Sequence, residues 1–164
     1  MMRKLLIAFM VLLSLIVYGC GEDSNKSNNV STSAKQETTK AKKIDFPAAS
    51  KLLKEDILKS EEFVKDIHVE VDEQKSQITM SIIVNPSVND KYILELIDTV
   101  LRKYNLFCSA GGSSKEKWGN LYDDYSLMIG IATPTTVNTP DKWLVYDAVA
   151  KGVQTKHKFK VKKK

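Results

Sequence analysis

The chain has 164 residues, two cysteines and a formal net charge of +5. That length supports one small hydrophobic core, and two cysteines are too few for a disulfide framework. The positive excess sits at the ends: residues 44–154 carry twelve basic and seventeen acidic side chains, while 155–164 carry six lysines and no acid. Nucleic acid is thereby disfavoured as a partner, because a nucleic-acid binder places its positive excess on the folded face.

Arg3 and Lys4 precede an apolar run of fourteen residues, Leu5 to Tyr18, which ends at Gly19-Cys20. A basic start, a short apolar stretch and a small residue have the layout of a secretory signal. Fourteen residues fall short of the ~20 needed to cross the hydrocarbon core as a helix. Simple secretion and a retained anchor are the competing readings. The Val17-Tyr18-Gly19-Cys20 run resembles the lipobox of bacterial lipoproteins. The resemblance implies that residues 1–19 are a signal peptide cut before Cys20, and that the Cys20 sulfur carries a diacylglyceryl group. The mature protein would then be held on the extracytoplasmic side of the cell membrane by its acyl chains. With Cys20 acylated, Cys108 has no intramolecular partner, and the fold must rest on packing alone.

Residues 20–43 contain no aromatic side chain and are dominated by Ser, Thr, Asn, Gln and Lys. Such a stretch cannot bury enough surface to offset its ordering entropy. It reads as a polar, disordered tether with a root-mean-square span of roughly 25–30 Å. Order is expected from Ile44, and residues 44–154 read as a single globular domain.

Asp45 can cap a helix with Pro47 in its first turn, and Phe46, Ala49, Leu52, Leu53 and Ile57 recur at helical spacing up to about Ser60. Ile67, Val69 and Val71 then alternate with polar residues, as do Ile78, Met80, Ile82 and Val84 after a polar turn at Asp72 to Ser76. Two period-two runs across a short turn predict a β-hairpin. A second helix is expected from an Asn89 cap to Tyr104, with Ile93, Leu96, Ile97, Val100 and Leu101 on one side and Asn105 able to end it. Phe107 could begin a strand. Strand character returns over Tyr125 to Ile131, a connection with two prolines runs from Thr133 to Pro140, and a last strand is expected over Trp143 to Val149. The order α-β-β-α-β-β predicts an α+β two-layer sandwich: a mostly antiparallel sheet of about four strands with two helices on one face.

Chemistry-bearing residues are sparse. Gly111-Gly112-Ser113-Ser114-Lys115 lacks the spacing of a phosphate-binding loop and follows a helix, so it reads as a turn. Asp123-Asp124 lacks the spaced ligands of a calcium loop, and His68 is too isolated for zinc. No metal or cofactor is therefore expected. Cys108 reads as a small core residue just after a helix. Glu70, Asp123 and Asp124 are the candidate acid and base groups of an enzyme, but they fall on separate elements. Trp118, Tyr122, Trp143 and Tyr146 are candidates for one aromatic interaction surface, with burial in the core as the competing placement. From Gly152 the tail alternates apolar residues with Lys156, Lys158, Lys160 and Lys162, then ends in Lys163 and Lys164. It could add a lysine-fringed edge strand, and Lys156, Lys158, Lys160, Lys162, Lys163 and Lys164 are a candidate contact with anionic headgroups or an anionic polymer, with a solvated, solubilising tail as the equal alternative.

The expectation that follows is a lipid-anchored lipoprotein whose domain binds a protein or other envelope ligand without catalysis. A cell-envelope enzyme is the first alternative. An accessory lipoprotein for sporulation or for excluding foreign DNA is the second, with a peptide cut from the signal as its variant.

Overall fold

The computed structural model describes residues 43–154 and 157–162. Residues 1–42, with the Cys20 site and all but the last residue of the tether, lie outside the described residues, as do Lys156, Lys163 and Lys164.

Helix α1 spans Phe46–Ser60, with Asp45 accepting the Ala48 N–H at 3.0 Å and a proline in the first turn. Capping of this kind contributes about 1 kcal/mol. Phe46, Ala49, Leu53 and Ile57 form its buried stripe, and each fully buried Leu or Ile stabilises by roughly 1.5–3 kcal/mol. Strands β1 (Val64–Asp72) and β2 (Gln77–Val84) form the expected hairpin. Helix α2 spans Asp90–Phe107 behind an Asn89 cap that accepts the Tyr92 N–H at 2.8 Å. A short helix α3, Leu121–Asp124, leads into β3 (Ser126–Ala132), and a 3-10 turn at Pro140–Lys142 leads into β4 (Val145–Val149).

The four strands lie in chain order. β1–β2 and β3–β4 are antiparallel, whereas the central β2–β3 pair is parallel. The parallel pair follows from α2, because a crossover through a helix returns the chain to the end of the sheet where it started. The expected α+β architecture is present, with this one parallel pairing inside it.

One face of the sheet carries Ile67, Ile78, Met80, Ile82, Leu127, Ile129, Ile131, Val145 and Val149, all buried. α1 and α2 cover that face and supply Leu53, Ile57, Ile93, Leu96, Val100 and Leu101 to a single core. Two local readings are corrected. α2 continues past Tyr104, so Phe107 ends a helix instead of opening a strand. The last strand begins at Val145, because Trp143 follows the 3-10 turn and its side chain lies across β3.

No helix among the described residues is long and apolar enough to cross a membrane.

Candidate functional site

The second face of the sheet is open. Thr79, Ser81 and Ile83 of β2 and Met128, Gly130 and Ala132 of β3 alternate with the core positions, so they point away from the helices. None of them is charged. His68, set opposite Ser81 in the register, and Tyr146, set opposite Gly130, flank this strip on the outer strands.

Gly130 decides the shape of the face. A Cβ built there would come within 1.9 Å of the Trp143 ring, so the six-membered ring of the indole occupies the space that a side chain at 130 would need. Its Nε1–H donates to the carbonyl oxygens of Thr136 and Val137, both at 3.1 Å, and Tyr146 meets the ring edge-on at 5.6 Å. Trp143 is thus held at both ends, and it walls a concavity of about 210 Å³ whose rim includes Asp66, His68, Ser81 and Ile83. That volume is below the roughly 300–1,000 Å³ of drug-sized ligand pockets; it suits a protruding side chain better than a cofactor. An isolated glycine within a strand pattern is the sequence signal for such a close approach. Gly130 carried that signal unread.

Gly130→Ala is therefore expected to dislodge Trp143. Overpacking of this kind costs about 1–3 kcal/mol, and Trp143 emission should shift to longer wavelength as the ring enters water. Trp143→Phe, compared in the same fluorescence measurement, isolates the contribution of Trp118, the other tryptophan. Unchanged emission in Gly130→Ala would contradict the stacked placement.

The four aromatic candidates divide between the two placements, surface and core. Trp143 and Tyr146 belong to the open face, where Tyr146 is 53% exposed, but Trp118 and Tyr122 lie on the helix side at 8% and 2%. Tyr122 donates its hydroxyl to the Leu101 carbonyl at 2.9 Å, and burial pushes its phenol well above the ordinary value. Trp118 meets Tyr122 edge-on at 5.9 Å, stacks on Phe159 at 5.6 Å, and donates its Nε1–H to Asp98 at 3.2 Å. Trp118 and Tyr122 come from the loop after α2 and from α3, on the helix side, whereas Tyr146 projects from β4 opposite Gly130 on the open face.

A groove of about 730 Å³ lies between α2 and the tail on the helix side, with Leu94, Arg102, Lys115, Trp118 and Phe159 in its walls. Arg102 is committed to structure there: its Nε lies 2.7 Å from Asp98, and its terminal nitrogens donate to carbonyls of the 114–117 loop.

The tail is not a free extension of the domain. His157 Nε2 stands 2.9 Å from Asp147, Phe159 and Val161 pack on the core, and the Lys162 N–H donates to the Leu144 carbonyl at 2.8 Å. The folded unit therefore reaches Lys162 instead of ending at residue 154. The expected edge strand does not form over 157–162, where a single backbone bond to Leu144 ties the chain to the start of β4.

The remaining candidates disperse. Cys108 is buried at the end of α2, and burial pushes its thiol up to about 12, which keeps it protonated at neutral pH. Asp123 pairs with Lys117, whose ammonium holds its carboxyl below the usual range, and it also accepts from Gln154 at 3.0 Å. Glu70 lies on β1 on the open-face side, away from the element that carries Asp123 and Asp124. Among the described residues no group of three or more His, Cys, Asp and Glu side chains converges as a metal site. His68 and Ser81 face each other without a hydrogen bond between them.

No family model, no curated protein and no solved structure matches this chain.

Proposed function

We propose that this chain is a lipid-anchored extracytoplasmic lipoprotein whose α+β domain is a non-catalytic binding module, with the open sheet face as its contact surface and an envelope protein as its partner. The observation that carries the binding role is the one-sidedness of the domain. Both long helices cover one face, and the other presents an uncharged strip ending in Trp143 and an exposed Tyr146. Tyrosine and tryptophan beside a shallow cavity supply large contact area at low entropic cost, which is why they dominate binding hot spots. The Val17-Tyr18-Gly19-Cys20 signature supports the anchored location.

Photo-crosslinking in intact cells tests the surface. A crosslinker placed at Thr79 or Tyr146, both on the open face, should give a discrete adduct, and one placed at Lys51 on α1 should not. Indistinguishable products from all three positions would remove the open face as the contact surface.

A further inference from the structure

The described tail alternates in burial with the period of an extended chain. His157, Phe159 and Val161 are half-buried, while Lys158, Lys160 and Lys162 are exposed. Three inward contacts hold it in place: His157 on Asp147, Phe159 on Trp118, and Val161 on the core. Alternate side chains of an extended chain stand roughly 6.6 Å apart, so the three lysines leave the same side of the packed tail in a row. Lys162 donates to the Asp141 carbonyl at 3.2 Å. Lys158 and Lys160 pair with no carboxylate among the described residues. Across the groove Lys115 and Glu116 offset each other, and Asp98 is taken by Arg102 and Trp118.

The body behind this row is acidic, with twelve basic and seventeen acidic side chains over residues 44–154. An acidic body with one basic edge is a permanent electric dipole, and a negatively charged surface turns such a molecule basic edge first.

We propose that the lysine row of the packed tail, Lys158, Lys160 and Lys162, docks on the anionic phosphate headgroups of the bilayer and turns the domain so that its tail edge faces the membrane. This orientation rests on the anchored reading of Cys20, which keeps headgroups within constant reach of the row.

The test uses the unacylated chain 20–164 with Cys20→Ser, which retains every residue that builds the core. It is co-sedimented with vesicles of phosphatidylglycerol and phosphatidylcholine, or of phosphatidylcholine alone. Binding is expected only with the anionic lipid, and it should fade as salt rises from about 0.05 to 0.5 M. Lys158→Gln/Lys160→Gln should lower the partition coefficient about 30-fold. Lys51→Gln/Lys91→Gln, the same charge change on the exposed faces of α1 and α2, should alter it by no more than about twofold. Equal losses in the two double variants would mean that net charge alone acts, and would overturn the assignment, as would no loss in the tail variant. Retention on immobilised inorganic polyphosphate without binding to anionic vesicles would assign the row to a soluble polymer and overturn the bilayer docking. Because no acyl group takes part, failure here leaves the Cys20 anchor standing, and failure of the anchor leaves the vesicle result intact.

Discussion

Cys20→Ala is expected to abolish membrane retention of the mature protein. The variant should accumulate as uncleaved precursor or appear in the soluble extracytoplasmic fraction, whereas the natural chain should sediment with membranes and partition into detergent. The size of the effect follows from the acyl chains. Each buried methylene contributes about 0.8 kcal/mol, and a single myristoyl chain already gives a marginal binding constant of about 10⁴ M⁻¹. Two longer chains, as the lipoprotein reading implies, would make dissociation negligible over the life of a cell. The proposed electrostatic docking of the tail would be far weaker and salt-sensitive, so it would not replace such an anchor. Fractionation followed by immunoblotting separates precursor from mature size. Mature-size Cys20→Ala protein that still sediments with membranes in high salt would overturn the anchored reading.

The second large effect is expected at Asn105. Its side chain is 1% exposed and spans three segments. The amide nitrogen donates to the Gly111 carbonyl at 2.9 Å and to the Ser113 hydroxyl at 3.2 Å, and the amide oxygen accepts the Leu121 N–H at 3.1 Å. A Cβ at Gly119 would fall 2.0 Å from the same amide, so the loop backbone is pressed against it. Asn105→Ala leaves the buried Leu121 N–H without a partner, which costs about 1–3 kcal/mol, and takes one of two donors from the Gly111 carbonyl, which keeps the Asn120 N–H. A total of about 2 kcal/mol is expected, read as a lower urea midpoint at unchanged slope and a fall in Tm of roughly 8 °C. Asn105→Asp keeps the acceptor but loses the donor and buries a charge, so it should be no better. The effect should also reach Trp118, which precedes Gly119 and seats Phe159 of the tail. The Lys162 amide, which bonds the Leu144 carbonyl, is therefore expected to lose hydrogen-exchange protection in Asn105→Ala before the sheet does. A change below about 0.5 kcal/mol would place Asn105 among ordinary surface-like substitutions and refute the bridging role.

Asn105 also shows where linear reading stops. Its position near the end of a helical pattern suggests a terminator, because asparagine favours helix ends. The structure keeps the helix going to Phe107 and uses the amide as a bridge to residues six to sixteen positions further on. Gln154 behaves in the same way, bonding both the N–H and the carbonyl of Gly119 from 35 residues away. Nothing in the local pattern around either residue encodes the partner. The elements themselves were legible: the α1 stripe, the alternation of β1 and β2, and the capped start of α2 all arise from contacts a few residues apart. α3 was missed because four residues are too few to establish a helical period.

The sequence by itself determined what is written in short-range order: the periodicities that place two helices and four strands, and the segregation of charge into an acidic body and basic ends. It is also the sole basis of the Cys20 reading, since a lipobox is a linear signal. Only the tertiary structure decided which aromatic residues share a face, that Trp143 lies on Gly130, and that the tail packs on the domain through Phe159 and His157. The physical reason is distance along the chain. A strand pattern tells which residues share a side of that strand, but a contact between residues ten to forty positions apart exists only once the core has brought the elements together.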